Sequence, residues 1–378
     1  MRHHRIAAVA AATAAALAAL TACTEAPAED AEGGPIAVTA TDDACEVAVT
    51  EAQAGTLTFA VKNEGDKVTE FYVYAEGNRV MGEIENITPG LTRELIVELP
   101  ADEYETACKP GMTGDGIRAA FTVTGEAADL TDDQALQAAV DSYKTYIAGQ
   151  STALVEQTGL FTDAVISGDI DTAKALFPVA RTYWERIEPV AEIFGDLDPK
   201  VDAREDDYAA GPTDPAFTGF HKLEYDLWIT GDVSASAPIA EQLMTDVQEV
   251  VDRAASEELS PLQLANGAKE LLDEIATSKI TGEEDRYSHT DLWDFAANLE
   301  GSEAAISSMR PVLEARDPEL VAALDERFAA TWTALEAHRT DDGWRLHDEL
   351  TEDELGTLSD AINALGEEVS KVAAVVAG

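Results

Sequence analysis

The chain has 378 residues, of which 74 are acidic and 25 are basic, so its formal net charge at pH 7 is −49. This length suffices for two domains and a tail, and a hydrophobic content of 46% argues against disorder over most of the chain. So acidic a chain repels nucleic acid and anionic membranes and concentrates cations near its surface, although adaptation to salt would produce the same composition.

The first 23 residues have the features of an export signal. A basic start is followed by an apolar run over residues 6–20, which is too short to span a bilayer comfortably. Residues 20–23 match a bacterial lipobox, in which small residues precede a cysteine. We therefore expect a lipoprotein signal peptide over residues 1–23, lipidation of Cys23, and a tether over residues 24–34. Acyl chains would then hold the protein on the extracytoplasmic face of the cell membrane.

The pattern of residues 35–126 indicates β-strands. Residues 56–61 alternate with period two, residues 71–74 are aromatic and β-branched, and turn signals separate several such short runs. This pattern predicts a β-sandwich of about 90 residues.

Two cysteines, Cys45 and Cys108, lie in this region. An even pair in an exported protein suggests a disulfide, but two thiolates could also bind a metal or form a redox pair. Spacing alone leaves both possibilities open. Because residues 35–126 contain no histidine, any metal site there must use thiolates and carboxylates, which excludes the two-histidine, one-cysteine copper site of electron carriers.

Helical periodicity dominates from residue 127 to the C-terminus. Long helices with mostly short connections predict an up-and-down bundle made of two four-helix units, so the expected fold class is multidomain β plus α. The predicted helices cover residues 132–167, 170–194, 215–229, 237–257, 261–280, 290–315, 317–339 and 351–376.

One predicted helix carries polar residues on its apolar face. His221 and Glu224 lie about 60° apart around the helix axis, on the broad face that also carries Phe220 and Leu227. Burying a carboxylate without a partner costs several kcal/mol, so something must satisfy this pair. One interpretation is a core histidine hydrogen-bonded to a glutamate, and the other is two ligands of one metal ion.

A stripe of three acids lies on another predicted helix. Glu185, Glu188 and Glu192 stand at positions i, i+3 and i+7. Like charges at this spacing weaken an isolated helix by a few tenths of a kcal/mol per pair, unless a cation lies among them. The stripe is therefore either a solvated acidic face or part of a cation site.

The usual sequence motifs of catalysis are missing. The chain has no G-x-S-x-G turn, no glycine-rich phosphate loop and no H-E-x-x-H helix. A zinc peptidase with the last motif carries two histidines on one helix, whereas the helix of His221 carries one. We therefore expect a protein that is not an enzyme.

Several blocks, taken in order along the chain, resemble the EfeO family, the lipoprotein or periplasmic component of Efe-type iron uptake. H-x-x-E alone is a weak signal, but the combination of blocks is specific, and the resemblance covers nearly everything from residue 35 to the C-terminus. The blocks are residues 43–46 (DACE), 70–71 (EF), 85–90 (ENITPG), 103–108 (EYETAC), 183–189 (YWERIEP), 220–224 (FHKLE), 282–294 and 298–301 (NLEG).

The resemblance implies a cupredoxin-like β-sandwich over residues 35–126 and an all-α, imelysin-like metal-binding domain over residues 127–378. It implies that the protein binds iron, as Fe²⁺ or Fe³⁺, and delivers it to an Efe-type iron permease in the membrane. A haem peroxidase of the same system would be a further partner. The lipid anchor would provide the membrane contact, and no nucleic acid would be bound.

The resemblance also implies two metal sites. In the β-sandwich, Cys45, Glu70 and Cys108 would lie near one another, either as a copper or iron site or as a disulfide. In the helical domain, an imidazole with several carboxylates suits iron, manganese or zinc better than Cu⁺. The ligands implied for this second domain are His221, Glu224, Glu185, Glu188, Asp202 and Glu284.

Two functions follow from these expectations. The first is a membrane-anchored iron-binding lipoprotein that captures iron through the H-x-x-E site. The alternative is a metallopeptidase-like enzyme of the imelysin type, in which Glu224 would act as a base or as a ligand.

Overall fold

The computed structural model of the protein describes residues 34–126 and 129–378. The predicted signal peptide, the lipidation site Cys23 and the tether up to residue 33 lie outside the described residues. Within the described part of the chain, no helix has both the length and the hydrophobicity that a membrane span requires.

The strands between residues 36 and 124 form two sheets. They are β1 Ile36–Ala40, β2 Cys45–Val47, β3 Glu51–Gln53, β4 Gly55–Asn63, β5 Thr69–Ala75, β6 Arg79–Ile87, β7 Thr92–Leu99, β8 Asp102–Pro110 and β9 Ile117–Thr124. One sheet has the strand order β2-β1-β4-β7, and the other has the order β3-β9-β8-β5-β6.

The two sheets enclose one apolar core. Phe59 of β4 packs against Phe71 of β5 and Phe121 of β9, with ring centroids 5.4 Å apart in both pairs. Inside this core a disulfide joins Cys45 of β2 to Cys108 of β8, so it links the two sheets. The predicted β-sandwich is confirmed.

The outer face of the second sheet is covered by the helical part of the chain. Side chains of a strand alternate between its faces, so Tyr72 and Tyr74 of β5 point away from the sandwich core. Both are nevertheless buried. Next to them the backbone N–H of Val80, on β6, donates to the carbonyl of Ile193 at 3.1 Å, which fixes the sheet to the helices.

In residues 129–378 the regular structure is helical apart from one short hairpin, so the predicted all-α region is confirmed. Its elements are α1 Gln134–Ser167, α2 Ile170–Glu185, α3 Glu188–Ala191, α4 Asp198–Val201, α5 Gly219–Tyr225, α6 Ala237–Ser256, α7 Pro261–Thr277, α8 Asp291–Arg316, α9 Pro318–Glu336, β10 Arg339–Thr340, β11 Gly343–Trp344, α10 Glu352–Val369 and α11 Val372–Ala377.

The helices share one core, with α8 at its middle. Helix α1 packs against α2, α6 and α8, whereas α7 packs against α8 and α10, and α9 packs against α8 and α10. Helix α8 also carries fully buried polar residues, among them Asp294, Asn298 and Ser302. Polar groups at the centre of a bundle need partners, and they mark where a site can form.

The predicted helix 170–194 is broken in the structure shortly before Pro189. Helix α2 ends at Glu185, and α3 begins at Glu188. Proline has no N–H and therefore cannot donate to the carbonyl of Glu185, four residues earlier. The side-chain amide of Asn298 donates to that carbonyl instead, at 3.0 Å. The break thus brings α8 against the acidic stripe.

Candidate metal centre

A close contact between α4 and α5 builds one side of the buried polar centre. Gly219 has a positive φ of 77°, and a Cβ atom on it would lie 2.2 Å from the carbonyl oxygen of Val201. Only glycine allows this approach. Because Asp202 directly follows α4 and His221 lies in the first turn of α5, the contact sets these two side chains together, 3.4 Å apart.

His221 is almost fully buried, with an acid at each ring nitrogen. Its Nδ1 atom lies 3.3 Å from Glu224, and its Nε2 atom lies 3.4 Å from Asp202 and 3.5 Å from Glu284. No hydrogen bond from the described residues satisfies Nε2. If Nδ1 carries the proton and donates it to Glu224, the lone pair of Nε2 faces two carboxylates. A cation between them would satisfy all three groups.

Glu224 is held in place by the segment before α8. One of its oxygens accepts hydrogen bonds from the backbone N–H groups of Tyr287 and Ser288, at 3.0 and 2.7 Å, and from the Ser288 hydroxyl at 2.8 Å. The other oxygen faces His221. Both oxygens are therefore engaged, and the carboxylate orients the imidazole ring.

Two members of the acidic stripe belong to the same centre. Glu185 is fully buried and Glu188 is 6% exposed, so a solvated acidic face is wrong for both of them. The amide of Asn298 donates to a carboxylate oxygen of each residue at 3.0 Å. Glu192, the third member of the stripe, instead lines a cavity that faces the β-sandwich.

Arg181 and Lys279 are buried among these acids. Neither side chain has any exposed surface. The guanidinium of Arg181 forms ion pairs with Glu185, Asp202, Glu284, Asp285 and Asp294. The ammonium of Lys279 lies 3.0 to 3.7 Å from Glu274, Glu185, Glu284 and Glu188.

Carboxyl groups outnumber cations in this centre. Among the described residues, eight carboxyl groups pair with Arg181, Lys279, Arg204 or His221. Three permanent cations cannot neutralise eight carboxylates, so the remaining acids must either hold protons or share a further cation. The eight are Glu185, Glu188, Asp202, Glu224, Glu274, Glu284, Asp285 and Asp294.

The pKa values of these acids reflect the excess of negative charge. Burial and the nearby carboxylate of Glu185 raise the pKa of Glu188 well above its usual value. Burial likewise raises the pKa of Asp285 to about 8. Without a further cation, some of these groups therefore stay protonated at neutral pH.

His221 feels opposing effects. Burial and the charge of Arg181 lower the pKa of its imidazole, but contacts with Asp202, Glu224 and Glu284 outweigh them and raise this pKa well above its usual value. A metal ion that binds at Nε2 would have to displace any proton held there, so binding would release protons.

The ligand atoms form three overlapping groups in which all atoms lie within 4.8 Å of one another. This spacing is close to that of ligands about 2.0–2.2 Å from one metal ion. Asp202 and His221 each belong to two groups. The groups are Asp202–His221–Glu284, His221–Glu224–Asp285 and Glu185–Glu188–Asp202.

The structure brings all six residues predicted for this site into one centre. It also adds six that the sequence prediction missed: Arg181, Arg204, Glu274, Lys279, Asp285 and Asp294. Two of these six had a signal in the sequence. Arg181 precedes Glu185 by four residues and so shares its helix face, and Asp285 stands beside Glu284.

The three residues predicted for a second site are not all brought together. Cys45 and Cys108 form the disulfide, which is one of the two alternatives left open by the sequence. Glu70 precedes Phe71, which pairs with Cys108 and faces the sandwich core, so Glu70 projects from the opposite face of the sheet. It lies there 3.7 Å from Lys109.

Comparisons with known proteins cover both parts of this fold. Residues 139–372 match the family model of imelysin, and residues 11–123 match that of a cupredoxin-like domain. The iron uptake system component EfeO of Escherichia coli strain K12 is 41% identical over 345 residues, which are 90% of this chain and 91% of that protein. Proteins of the same name from Shigella flexneri and Shigella sonnei match with the same identity and coverage.

Proposed function

The chain belongs to the imelysin family and to the EfeO family of iron uptake system components, and from that premise we propose that it captures iron outside the cytoplasm and delivers it to a membrane permease. The iron would bind at the centre around His221. As the cargo of the protein, it would be held reversibly.

The Nε2 atom of His221 supports this proposal most directly. It is a buried nitrogen without a hydrogen bond, and it faces the carboxylates of Asp202 and Glu284 in a centre with too few cations. An imidazole nitrogen with several carboxylate oxygens is a donor set that suits Fe²⁺ and Fe³⁺ and does not suit Cu⁺.

Capture and release would both follow from the charges. The net charge of −49 concentrates cations around the protein. Asp202, Glu284 and His221 would then bind the ion, and Glu224 would hold the ring in position. Because Arg181 and Lys279 already neutralise part of the acid cluster, they weaken its attraction for the ion and make release to a partner easier.

The surroundings of the protein belong to the same proposal. Acyl chains on Cys23 would hold it on the extracytoplasmic face of the cell membrane. Its resemblance to components of Efe-type uptake supports an Efe-type permease as the receiver of the iron. It also supports a haem peroxidase as the partner that changes the oxidation state of the iron. We do not propose a copper site in the β-sandwich, because both cysteines there form the disulfide.

The metallopeptidase alternative is not favoured by the geometry. A general base needs a carboxylate oxygen that can reach a water molecule. One oxygen of Glu224 accepts three hydrogen bonds and the other faces His221, so neither is free for this role.

Calorimetric titration with Fe²⁺ under anaerobic conditions tests the proposal. The wild-type protein is compared with the double variant His221→Ala, Glu224→Ala. Loss of the imidazole ligand and of the carboxylate that orients it should weaken binding by about a hundredfold or more. An unchanged dissociation constant in the double variant would reject the centre as the iron site.

The matched control is the double variant Glu336→Ala, His338→Ala. It removes the same two side-chain types near the end of α9, where His338 lies 3.3 Å from Arg345. This control should bind iron as the wild type does. Circular dichroism of both variants shows whether they are folded.

A further inference from the structure

The gap between the β-sandwich and the helices is lined by acids that the centre around His221 does not use. A cavity of about 230 Å³ lies here, between the outer face of the second sheet and the segment that follows α3. Glu83 and Glu85 line it from the sheet, and Glu192 and Asp198 line it from the helical side.

Three acids converge at one end of this gap. Glu83 belongs to β6, Glu192 directly follows α3, and Glu270 belongs to α7. One carboxylate oxygen of each lies within 4.8 Å of the other two. The three residues are far apart in sequence, so the docking of the sandwich on the helices creates this cluster.

No ion pair from the described residues reaches these three carboxylates, because the neighbouring cations pair elsewhere. Lys109 lies 3.7 Å from Glu70 and over the ring of a tyrosine. Arg93 pairs with Asp273 at 2.8 Å, and Lys269 pairs with the same carboxylate. Within the described part of the chain, these three carboxyl groups therefore have no counter-ion in contact with them.

Glu83 is the clearest sign that a ligand belongs here. It is 7% exposed, no described cation forms an ion pair with it, and the more distant charge of Lys109 offsets only part of the cost of its burial. The hydroxyl of Tyr72 has a single proton, and it lies 3.4 Å from Glu85. Burial raises the pKa of Glu83 to about 7, because Tyr72 and Lys109 offset the effect of burial only in part.

The space beside Glu83 has the size of a single ion. A cavity of about 20 Å³ is lined by all three acids together with Pro189 and Asn266. A cavity needs about 10–15 Å³ to hold one water-sized occupant. The amide of Asn266 is already used, since it donates to the carbonyl of Ile96, so it does not compete for the acids.

We propose that Glu83, Glu192 and Glu270 form a second cation site, between the β-sandwich and the helical region and separate from the centre around His221. Its ligands are carboxylate oxygens without nitrogen or sulfur. Such a donor set selects cations that prefer oxygen, such as Mn²⁺, Ca²⁺ or Fe³⁺, over Cu⁺. A bound cation would also join the two parts of the chain, because its ligands come from both.

Equilibrium dialysis of the full chain against Mn²⁺, with bound metal counted by elemental analysis, tests this site. The variant Glu83→Gln, Glu270→Gln keeps the shape of both side chains but removes their charge. It should bind one Mn²⁺ fewer per chain than the wild type. An unchanged stoichiometry in the folded variant would overturn the proposal.

Two further variants separate this site from the centre around His221. The control Glu76→Gln, Glu326→Gln removes two exposed carboxylates, one from each part of the chain, and should bind as the wild type does. The variant His221→Ala, Glu224→Ala should lose a different Mn²⁺ and keep the one at the new site. If the His221→Ala, Glu224→Ala variant loses an ion and the Glu83→Gln, Glu270→Gln variant does not, the second site is rejected and the proposed function stands.

The single variant Glu192→Gln covers the case in which the double variant does not fold. Glu192 is only partly buried, so its replacement disturbs the fold least. It should weaken the binding of one Mn²⁺ by about tenfold or more. Unchanged affinity for every bound Mn²⁺ would overturn the proposal.

Discussion

Lys279 shows how single residues let the protein tolerate a buried acidic centre. Its ammonium group has no exposed surface and lies within ion-pair distance of four carboxylates. Burial alone would lower the pKa of this ammonium, but the carboxylates, Glu185 first among them, outweigh burial and raise it well above its usual value. The lysine therefore stays charged and acts as a built-in counter-ion.

Replacing Lys279 with methionine should destabilise the metal-free protein. The substitution leaves buried carboxylates without their cation, and breaking a buried ion pair in this way costs about 3–5 kcal/mol. Urea unfolding in the presence of a chelator, followed by circular dichroism, measures the loss. Added iron should recover part of it, because a metal ion can supply the missing charge.

The variant Lys62→Met is the control for this measurement. Lys62 pairs with Glu64 on the surface, where both side chains are about half exposed, and such pairs contribute little to stability. Its unfolding should match that of the wild type. Equal stability of Lys279→Met and Lys62→Met would contradict the counter-ion role.

The sequence could predict some of these residues and not others. His221 and Glu224 stand out because two polar side chains interrupt an apolar helix face, and Glu185 and Glu188 because like charges share a stripe. The spacing of Arg181 from Glu185 shows that the two share a helix face, but neither Arg181 nor Lys279 can be recognised as buried, since a cation in a highly charged chain has the same sequence pattern whether it is buried or exposed. Their burial depends on contacts made by several helices at once.

At the scale of elements, the approach of α4 to α5 positions two of the proposed metal ligands. The approach depends on Gly219, where a Cβ atom would collide with the backbone of Val201 and where φ is positive. Asp202 and His221 flank this contact, so any shift of α4 separates these two side chains.

We predict that Gly219→Ala weakens iron binding by about tenfold or more, because the added methyl group pushes α4 away from α5. Anaerobic calorimetric titration measures the dissociation constant. The control is Gly149→Ala, in the middle of α1, where a Cβ atom meets nothing within 4 Å. Alanine is the better helix former, so this control should bind iron normally and be slightly more stable. Equal affinity of both variants would show that the contact does not position the ligands.

Most helices follow from periodicity and caps, but the break after Glu185 does not. Pro189 lies in the first turn of α3, and proline is tolerated early in a helix, so the pattern permits one continuous helix with a bend. What decides the outcome is Asn298, more than a hundred residues later, which takes over the carbonyl that proline leaves without a donor. Contacts of this range cannot be read from local sequence.

At the scale of the whole molecule, stability should depend on pH in a direction set by the raised pKa values. Burial raises the pKa of Asp291 to about 6, of Glu83 to about 7 and of Asp285 to about 8. Such a carboxyl group stabilises the folded protein fully when the pH is below its pKa in the unfolded chain. This stabilisation is lost as the pH rises through its higher pKa in the folded protein. Burial acts to raise the pKa of Asp202 as well, but the charge of Arg181 more than reverses this effect and lowers that pKa. The stabilisation that Asp202 contributes is therefore lost only at acid pH.

The metal-free protein should therefore lose stability between about pH 5.5 and about pH 8.5. Urea unfolding at several pH values in this window, with chelator present, measures the trend. Saturation with iron should flatten it, because bound metal keeps the carboxylates ionised. A metal-free protein that becomes more stable across this window would contradict the assignment of raised pKa values.

The order of a β-sandwich followed by a helical bundle was predictable from the sequence, but the way the two parts meet was not. Alternation in β5 shows that residues such as Tyr72 and Phe71 face opposite ways. It does not show that helices cover the tyrosine face. The cluster of Glu83, Glu192 and Glu270 exists only because of that docking, and so no local pattern could reveal it.

The disulfide between Cys45 and Cys108 has a consequence for which metals the protein can take up. Oxidation removes both thiolates, and these are the only cysteines among residues 34–126 and 129–378. Copper in its reduced state binds most strongly to thiolate sulfur, whereas iron accepts oxygen and imidazole. In an oxidising compartment the protein would thus bind copper poorly even before it binds iron. Part of its selectivity between metals would be set when the disulfide forms.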